Sequence, residues 1–183
     1  MGRRIGEKRI FRDVRRLTSF TEDIRAARMR PGGVLVRRRL VRNARVCARL
    51  RERRVVELVR VRTADGRRIC IENTFLPEAA WPLVRDADLT RSLYRLLESR
   101  GERLATSREL LEARMATAGE RRLLGVSRPL PVVSIAREAF DAKGRVREFT
   151  ENVLRADRYL FRFELTRDRA ARSGPAARTA PRR

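Results

Sequence analysis

Two arginines at strand spacing are the strongest candidates for chemistry in this sequence. Arg60 and Arg62 stand two residues apart in "LVRVR". Side chains of a strand alternate between its faces, so both arginines point to the same side of a sheet. Two neighbouring guanidinium groups suit a phosphate or carboxylate, which they can grip through paired hydrogen bonds. The abundance of arginine also permits a plainer interpretation, a solvated strand face.

Hydroxyl groups form a second set of candidates. The segment "LTSFTEDI" (17–24) holds hydroxyl and acidic side chains around one phenylalanine, and we predict a polar loop there. Ser92 falls in the first turn of a predicted helix, where free backbone N–H groups favour an anion. Helix capping is the commoner use of such a serine.

The position of Glu72 depends on the turn of its hairpin. A two-residue turn at 65–66 pairs Arg60 with Ile71 and puts Glu72 on the opposite face. A three-residue turn with a bulge pairs Arg60 with Cys70 and brings Glu72 beside the arginines. The residues alone leave both registers open.

Glu148 raises a similar question in a second hairpin. If Phe140 pairs with Arg145, Glu148 faces Arg137 across the strands. A cross-strand ion pair is then a sufficient explanation for this glutamate.

Catalytic chemistry finds little support. The chain has no histidine, which removes the Ser-His and Cys-His pairs and the usual zinc ligands. Cys47 and Cys70 fit no metal-binding spacing and form no disulfide framework. We therefore predict no catalytic residue, no metal and no cofactor.

Composition bounds the class of protein. The 183 residues fit one domain. The net charge is +23, because 46 basic residues stand against 23 acidic ones, and 44 of the basic residues are arginines. Such a charge predicts weak, salt-sensitive adhesion to polyanions. No apolar run approaches the length of a membrane span, so we expect a soluble, cytoplasmic protein without membrane contact.

Hydrophobic periodicity predicts an α+β fold with a mostly antiparallel sheet flanked by short helices. The predicted strands are 34–41, 54–62, 67–76, 131–141, 144–153 and 158–166, and the predicted helices are 44–52, 88–101 and 118–126. The segment 104–116 is ambiguous between helix and strand. In the last strand, the side chains on one face are Tyr159, Phe161, Phe163 and Leu165. We expect a tail or linker over 1–13, a folded body over 14–167 and a disordered tail over 168–183.

Four segments, in this order, resemble the UTRA effector-binding domain of GntR-type transcriptional regulators of the HutC subfamily. They are "LTSFTEDI", "LVRVRTADGRRICIENTFLP", "SLYRLLESRG" and "REFTENVLRADRYLFRFEL". The resemblance implies a chorismate-lyase-like fold. It also implies a homodimeric sensor, not an enzyme, that binds an anionic metabolite such as a sugar phosphate or organic acid and thereby controls DNA binding.

The resemblance also assigns roles to residues. It places the contacts to the anionic group at Ser19, Phe20, Thr21, Arg60, Arg62 and Ser92. It places the contacts to the rest of the ligand at Glu72, Tyr94, Glu148 and Tyr159. It thereby favours the three-residue turn and predicts that the 17–24 loop closes over an anion held by the arginines.

One departure from the family concerns DNA. A winged helix-turn-helix is about as long as a small domain, which is longer than the segment before the first family motif at residue 17. The "GTFV" signature that ends such a domain is also replaced by "RIFRDV". We therefore expect DNA contact only through a winged-helix domain missing from this chain, or without sequence preference. The alternatives are a basic nucleic-acid-binding protein without an effector site and a chorismate-lyase-like enzyme.

Overall fold

A six-stranded sheet forms the centre of the protein in the computed structural model, which describes residues 8–165. Its strands are β2 (Pro31–Val41), β3 (Val55–Ala64), β4 (Arg67–Pro77), β5 (Thr106–Met115), β6 (Pro131–Phe140) and β7 (Val146–Arg155). Their spatial order is β2-β3-β4-β7-β6-β5, and every neighbouring pair is antiparallel. The predicted fold class is confirmed, and the ambiguous segment 104–116 is the edge strand β5.

A small second sheet ties the two ends of the described chain together. It pairs β1 (Ile10–Asp13) with β8 (Tyr159–Arg162) in parallel. The assignment of 1–13 to a tail is therefore wrong for β1, whose Ile10 is buried in the core. The strand expected over 158–166 ends at Arg162, opposite the last residue of β1, and Phe163 beyond it is exposed. The disordered tail predicted over 168–183 lies outside the described residues.

Short helices cover both faces of the large sheet. They are α1 (Phe20–Ala26), α2 (Ala44–Leu50), α3 (Trp81–Val84, preceded by a 3₁₀ turn), α4 (Leu93–Glu98) and α5 (Ala118–Leu124). One face packs against α2 and α5 through the core clusters around Phe75 and Ile71. The other face packs against α1, α3 and α4 through the clusters around Ile135 and Leu58. None of the helices between residues 8 and 165 is long and apolar enough to cross a membrane.

Two segments differ from the sequence prediction because side chains cap their helices. The loop expected over 17–24 contains the start of α1, where Ser19 and Glu22 form a capping box. The helix expected over 88–101 is helical only in α4, because Asp88 accepts hydrogen bonds from the backbone N and Oγ1 of Thr90, at 3.1 and 2.6 Å. Ser92 then caps the helix.

The β3–β4 hairpin has a register that neither predicted turn produces. Its turn has two residues, Asp65 and Gly66, both at positive φ. A bulge at Ile69 then shifts the pairing by one residue, so that Arg60 lies directly opposite Glu72. The three-residue turn is therefore wrong, although its consequence, Glu72 beside the arginines, is correct.

The β6–β7 hairpin is likewise shifted by one residue at its closed end. Phe140 pairs with Val146 and not with Arg145, and Glu148 then lies opposite Ala139. The direct pairing of Glu148 with Arg137, which depended on Phe140 pairing with Arg145, does not occur, and Arg137 lies opposite Thr150.

Candidate functional site

A cavity lies where polar side chains interrupt the apolar face of the sheet beneath α1 and α4. Its lining consists of Ser19, Phe20, Thr21, Arg60, Arg62, Glu72, Thr74, Ser92, Leu93, Tyr94, Arg137, Glu148, Thr150 and Asn152. We call this the central cavity. Its volume of about 30 Å³ is enough for about two water molecules, so its walls nearly touch in this structure.

Two buried arginines form one wall of the central cavity. Arg60 is 4% exposed and Arg62 is 1% exposed. Glu72 Oε2 lies 3.0 Å from Arg60 Nη2 and 3.5 Å from Arg62 Nε, but it receives no well-aligned hydrogen bond from either. Both Nε groups are buried without a hydrogen-bond partner. Burial, followed by the charge of Arg60, lowers the pKa of Arg62. The pair therefore retains donors that an anion would satisfy.

The remaining donors of this pair face backbone carbonyls. Nη1 of Arg60 lies 3.4 Å from the carbonyl oxygens of Leu89 and Arg91, and Nη1 of Arg62 lies 3.2–3.3 Å from those of Thr90 and Arg91. Charge-assisted hydrogen bonds are normally about 2.7–2.9 Å long. An anion would therefore make shorter contacts than this loop does. The Arg62 guanidinium also lies 4.7 Å from the centre of the Phe20 ring.

The opposite wall is a hydrogen-bonded group around Tyr94. The Tyr94 hydroxyl donates to Glu148 Oε2 at 2.8 Å and accepts from Arg137 Nη1 at 3.0 Å. Burial raises the pKa of Glu148, and burial together with Glu148 raises the pKa of Tyr94 well above its ordinary value. This end of the cavity presents hydroxyl, amide and carboxyl groups suited to polar, uncharged parts of a ligand.

The expected hydroxyl residues line the cavity, but two of them serve as caps. Ser19 Oγ donates to Glu22 Oε2 at 2.7 Å and accepts from the Glu22 amide at 3.3 Å. Ser92 Oγ accepts from the backbone N of Arg95 at 3.4 Å. Thr21, in the first turn of α1, is buried against the cavity. Ser19 and Ser92 thus have the capping role that sequence reasoning regarded as commoner for Ser92.

The structure brings nine of the ten expected residues to one cavity. Tyr159 is the exception: it is buried in a core cluster and stacks on Phe161. Sequence reasoning did not propose five further lining residues, namely Thr74, Leu93, Arg137, Thr150 and Asn152. A signal for three of them, Thr74, Thr150 and Asn152, was present, because they continue the alternate polar positions of the strands that carry Glu72 and Glu148.

The side chains of the central cavity are suited to binding an anion. The chain has no histidine, and no group of three or more metal-ligating side chains that could hold an ion occurs within residues 8–165. The cavity brings together three arginines, Arg60, Arg62 and Arg137, with the carboxyl groups of Glu72 and Glu148 and several hydrogen-bonding groups. Side chains of these kinds are suited to a ligand that combines an anionic group with polar groups.

Sequence comparison identifies the class of protein to which this fold and site belong. Residues 17–160 match the UTRA domain family. The chain belongs to this family, the effector-binding domain of GntR-family transcriptional regulators.

Two of its relatives are transcriptional repressors. The chain is 28% identical over 150 residues to the HTH-type transcriptional repressor NagR of Bacillus subtilis, a match that covers 79% of the chain and 62% of NagR. It is 32% identical over 108 residues to the HTH-type transcriptional repressor PhnF of Mycolicibacterium smegmatis, covering 58% of the chain and 44% of PhnF. The chain therefore spans less than two thirds of either relative.

Solved structures show the same architecture. The crystal structure of PhnF from Mycobacterium smegmatis superposes with a TM-score of 0.79 at 26% identity, covering 87% of this chain and 73% of that one. The structure of the PhnF effector domain alone gives a TM-score of 0.75 at 27% identity, covering 81% of this chain and 95% of that one.

Proposed function

We propose that this domain binds a small anionic metabolite, such as a sugar phosphate or an organic acid, in the central cavity. The observation that carries the proposal is the buried pair Arg60 and Arg62, whose Nε groups lack hydrogen-bond partners. Buried donors without partners are costly, and an anion held by both guanidinium groups removes that cost. Glu148, Tyr94 and Asn152 then contact the polar remainder of the ligand.

Ligand entry requires the cavity to widen. A metabolite pocket is typically about 300–1,000 Å³, far more than the central cavity offers. An outer groove of about 900 Å³ adjoins it and shares Thr21, Arg62 and Ser92 with its lining. The loop 89–91, whose backbone carbonyl oxygens accept only long hydrogen bonds from the two arginines, lies between the two spaces. Its release by an incoming anion would join cavity and groove.

The biological role follows from the class of regulator. We propose that residues 14–167 form the sensor of a HutC-type GntR regulator, a homodimer in the cytoplasm, and that ligand binding controls its attachment to DNA. Sequence-specific contact would come from a winged-helix domain, while this chain adheres to DNA without sequence preference. The repressor relatives and the four family motifs support this assignment over a lyase enzyme.

A thermal-shift screen tests the proposal against the nucleic-acid alternative. Phosphorylated sugars and organic acids are compared with their uncharged counterparts at constant ionic strength. A ligand at a hundredfold excess over its Kd should add about 2.7 kcal/mol to the free energy of unfolding. Stabilisation by charged members alone supports the sensor. No stabilisation by any of them, together with binding to one DNA sequence that persists at physiological salt, would favour the alternative.

A further inference from the structure

A chain of buried polar groups leads from the central cavity to the N-terminal strand β1. Arg137, in the cavity wall, donates through Nε to Glu109 Oε1 at 2.6 Å. The same carboxylate oxygen accepts from Nη2 of Arg12 in β1, also at 2.6 Å. On the cavity side, Arg137 Nη1 donates to Tyr94, which donates to Glu148. These hydrogen bonds join five side chains, from five different helices and strands, one after another.

The charges within this hydrogen-bonded chain make it sensitive to an anion in the central cavity. Arg12 and Arg137 are two buried cations that share one oxygen of Glu109, and their guanidinium groups are therefore in competition. Glu109 Oε2 and Arg12 Nε are buried without a hydrogen-bond partner, so the cluster is not saturated. The adjacent Asp23 carboxyl is hydrogen-bonded to Thr18 and lies within electrostatic range of both arginines. Any anion that draws Arg137 into the cavity weakens its hold on Glu109 and leaves the carboxylate to Arg12.

Strand β1 is suited to respond to this hydrogen-bonded chain because its backbone pairing is short. It has four residues and pairs in parallel with the four residues of β8. Such short elements open more readily than a central sheet, so a single buried ion pair can change their opening equilibrium. Arg12 is the buried charged side chain by which β1 contacts the edge strand β5 of the large sheet.

We propose that Arg12 and Glu109 are positioning residues for Arg137, and that their hydrogen-bonded chain couples ligand occupancy of the central cavity to the attachment of β1. The ligand-dependent half rests on the proposed function. Coupling is reciprocal: if the ligand changes the opening of β1, the attachment of β1 changes the ligand affinity by the same factor. Because Arg12 helps to attach β1, the ligand affinity should depend on Arg12. An anion in the cavity should slow the opening of β1, because it draws Arg137 away from Glu109 and leaves this carboxylate to Arg12.

The first arm of the test needs no ligand. Hydrogen exchange of the β1 amides is compared in wild type, Tyr94→Phe and Thr74→Val. Tyr94→Phe removes the hydroxyl that holds Arg137 on the cavity side. Thr74 lines the cavity as well but is not one of the five side chains of the hydrogen-bonded chain. Exchange in β1 should change by about threefold or more in Tyr94→Phe alone. Equal exchange in Tyr94→Phe and wild type, or an equal change in Thr74→Val, would overturn the coupling.

The second arm uses inorganic phosphate as the probe, with chloride at matched ionic strength as the reference. Phosphate should slow β1 exchange, and Arg12→Met should weaken phosphate binding by about threefold or more, whereas Arg15→Met, an exposed neighbour, should not. Phosphate binding without any effect on β1 exchange refutes the coupling and leaves the site intact. If phosphate does not bind, the proposed function loses its support, and the first arm alone decides the coupling.

Discussion

Gly33 shows how closely single residues control the candidate site. It lies opposite Arg62 in the β2–β3 pairing, and a Cβ added there would meet the Val61 carbonyl oxygen at 3.1 Å and Arg62 Cδ and Nη1 at 3.3 Å. Gly33→Ala should therefore push the Arg62 side chain from its rotamer, at a cost of about 0.5–1.5 kcal/mol, which weakens anion binding by roughly twofold to tenfold. Titration of the variant with the ligand found in the screen measures this effect.

Gly119 provides the matched control for that substitution. It lies in α5, on the other face of the sheet, and an added Cβ meets nothing closer than 4.0 Å. Gly119→Ala should raise the free energy of unfolding by about 0.5–1 kcal/mol, because alanine is the better helix former, and should leave ligand affinity unchanged. Equal ligand affinities in the two variants would show that Gly33 does not position Arg62.

For individual residues, the sequence predicts the sheet face to which a side chain points better than it predicts the cross-strand neighbour of that side chain. The two-residue period of a strand places Arg60 and Arg62 on one face whatever the hairpin does, and the structure agrees. The partner of Arg60 depends on a bulge at Ile69, which has no sequence marker. The family resemblance predicted that Tyr159 contacts the ligand, but the side chain of this residue of β8 is buried in the core.

At the scale of elements, the β3–β4 hairpin sets the register that brings Glu72 to the arginines. Its Gly66 has φ +78°, a conformation that costs an L-residue about 1–2 kcal/mol. Gly66→Ala should lower the free energy of unfolding by that amount, whereas Gly66→Asn should lose much less because asparagine tolerates this conformation. Urea denaturation measures both variants. Equal losses for alanine and asparagine would mean that backbone strain at this turn is not the cause.

The elements themselves were largely predictable, and their ends were not. Alternating and helical periodicity located five of the six strands of the large sheet, as well as α2 and α5, and left β5 ambiguous between helix and strand. The helix α1 was missed although Ser19 and Glu22 carry the capping-box spacing. The helix over 88–101 was overextended because leucine periodicity continues through a turn that the Asp88 side chain stabilises.

At the scale of the whole molecule, both edge strands of the large sheet carry exposed apolar side chains, and Leu110 in β5 is the most exposed of them. Leu110 is 73% exposed in the ten-residue edge strand β5. Native proteins usually protect such an edge, and the twofold dimer is the commonest assembly of soluble proteins, so we expect this edge to lie in a dimer interface. Sedimentation at about 50 μM should give a dimer, which Leu110→Lys weakens by about tenfold or more. Val36→Lys on the opposite edge is the control, and a monomeric wild type would contradict the prediction.

Global topology was the least predictable level. The parallel pairing of β1 with β8 joins segments about 150 residues apart, and strand periodicity contains no information about such distant partners. The buried polar cluster around Arg137 also depends on this topology, because it assembles side chains from β1, β5, β6, β7 and α4. Sequence patterns describe the neighbours of a residue along the chain, whereas this cluster requires the complete fold.

The most direct test of the central claim is calorimetric titration of Arg60→Met and Arg62→Met with the anionic ligand. Methionine keeps the aliphatic stem and removes the charge, so a melting curve can confirm that each variant is folded. Each charge-assisted hydrogen bond contributes about 1.5–3 kcal/mol, and each variant should bind about tenfold to a hundredfold more weakly than wild type. Arg122→Met, exposed on α5 at the other face of the sheet, should bind like wild type. Equal affinities in all three variants would contradict an anion site at Arg60 and Arg62.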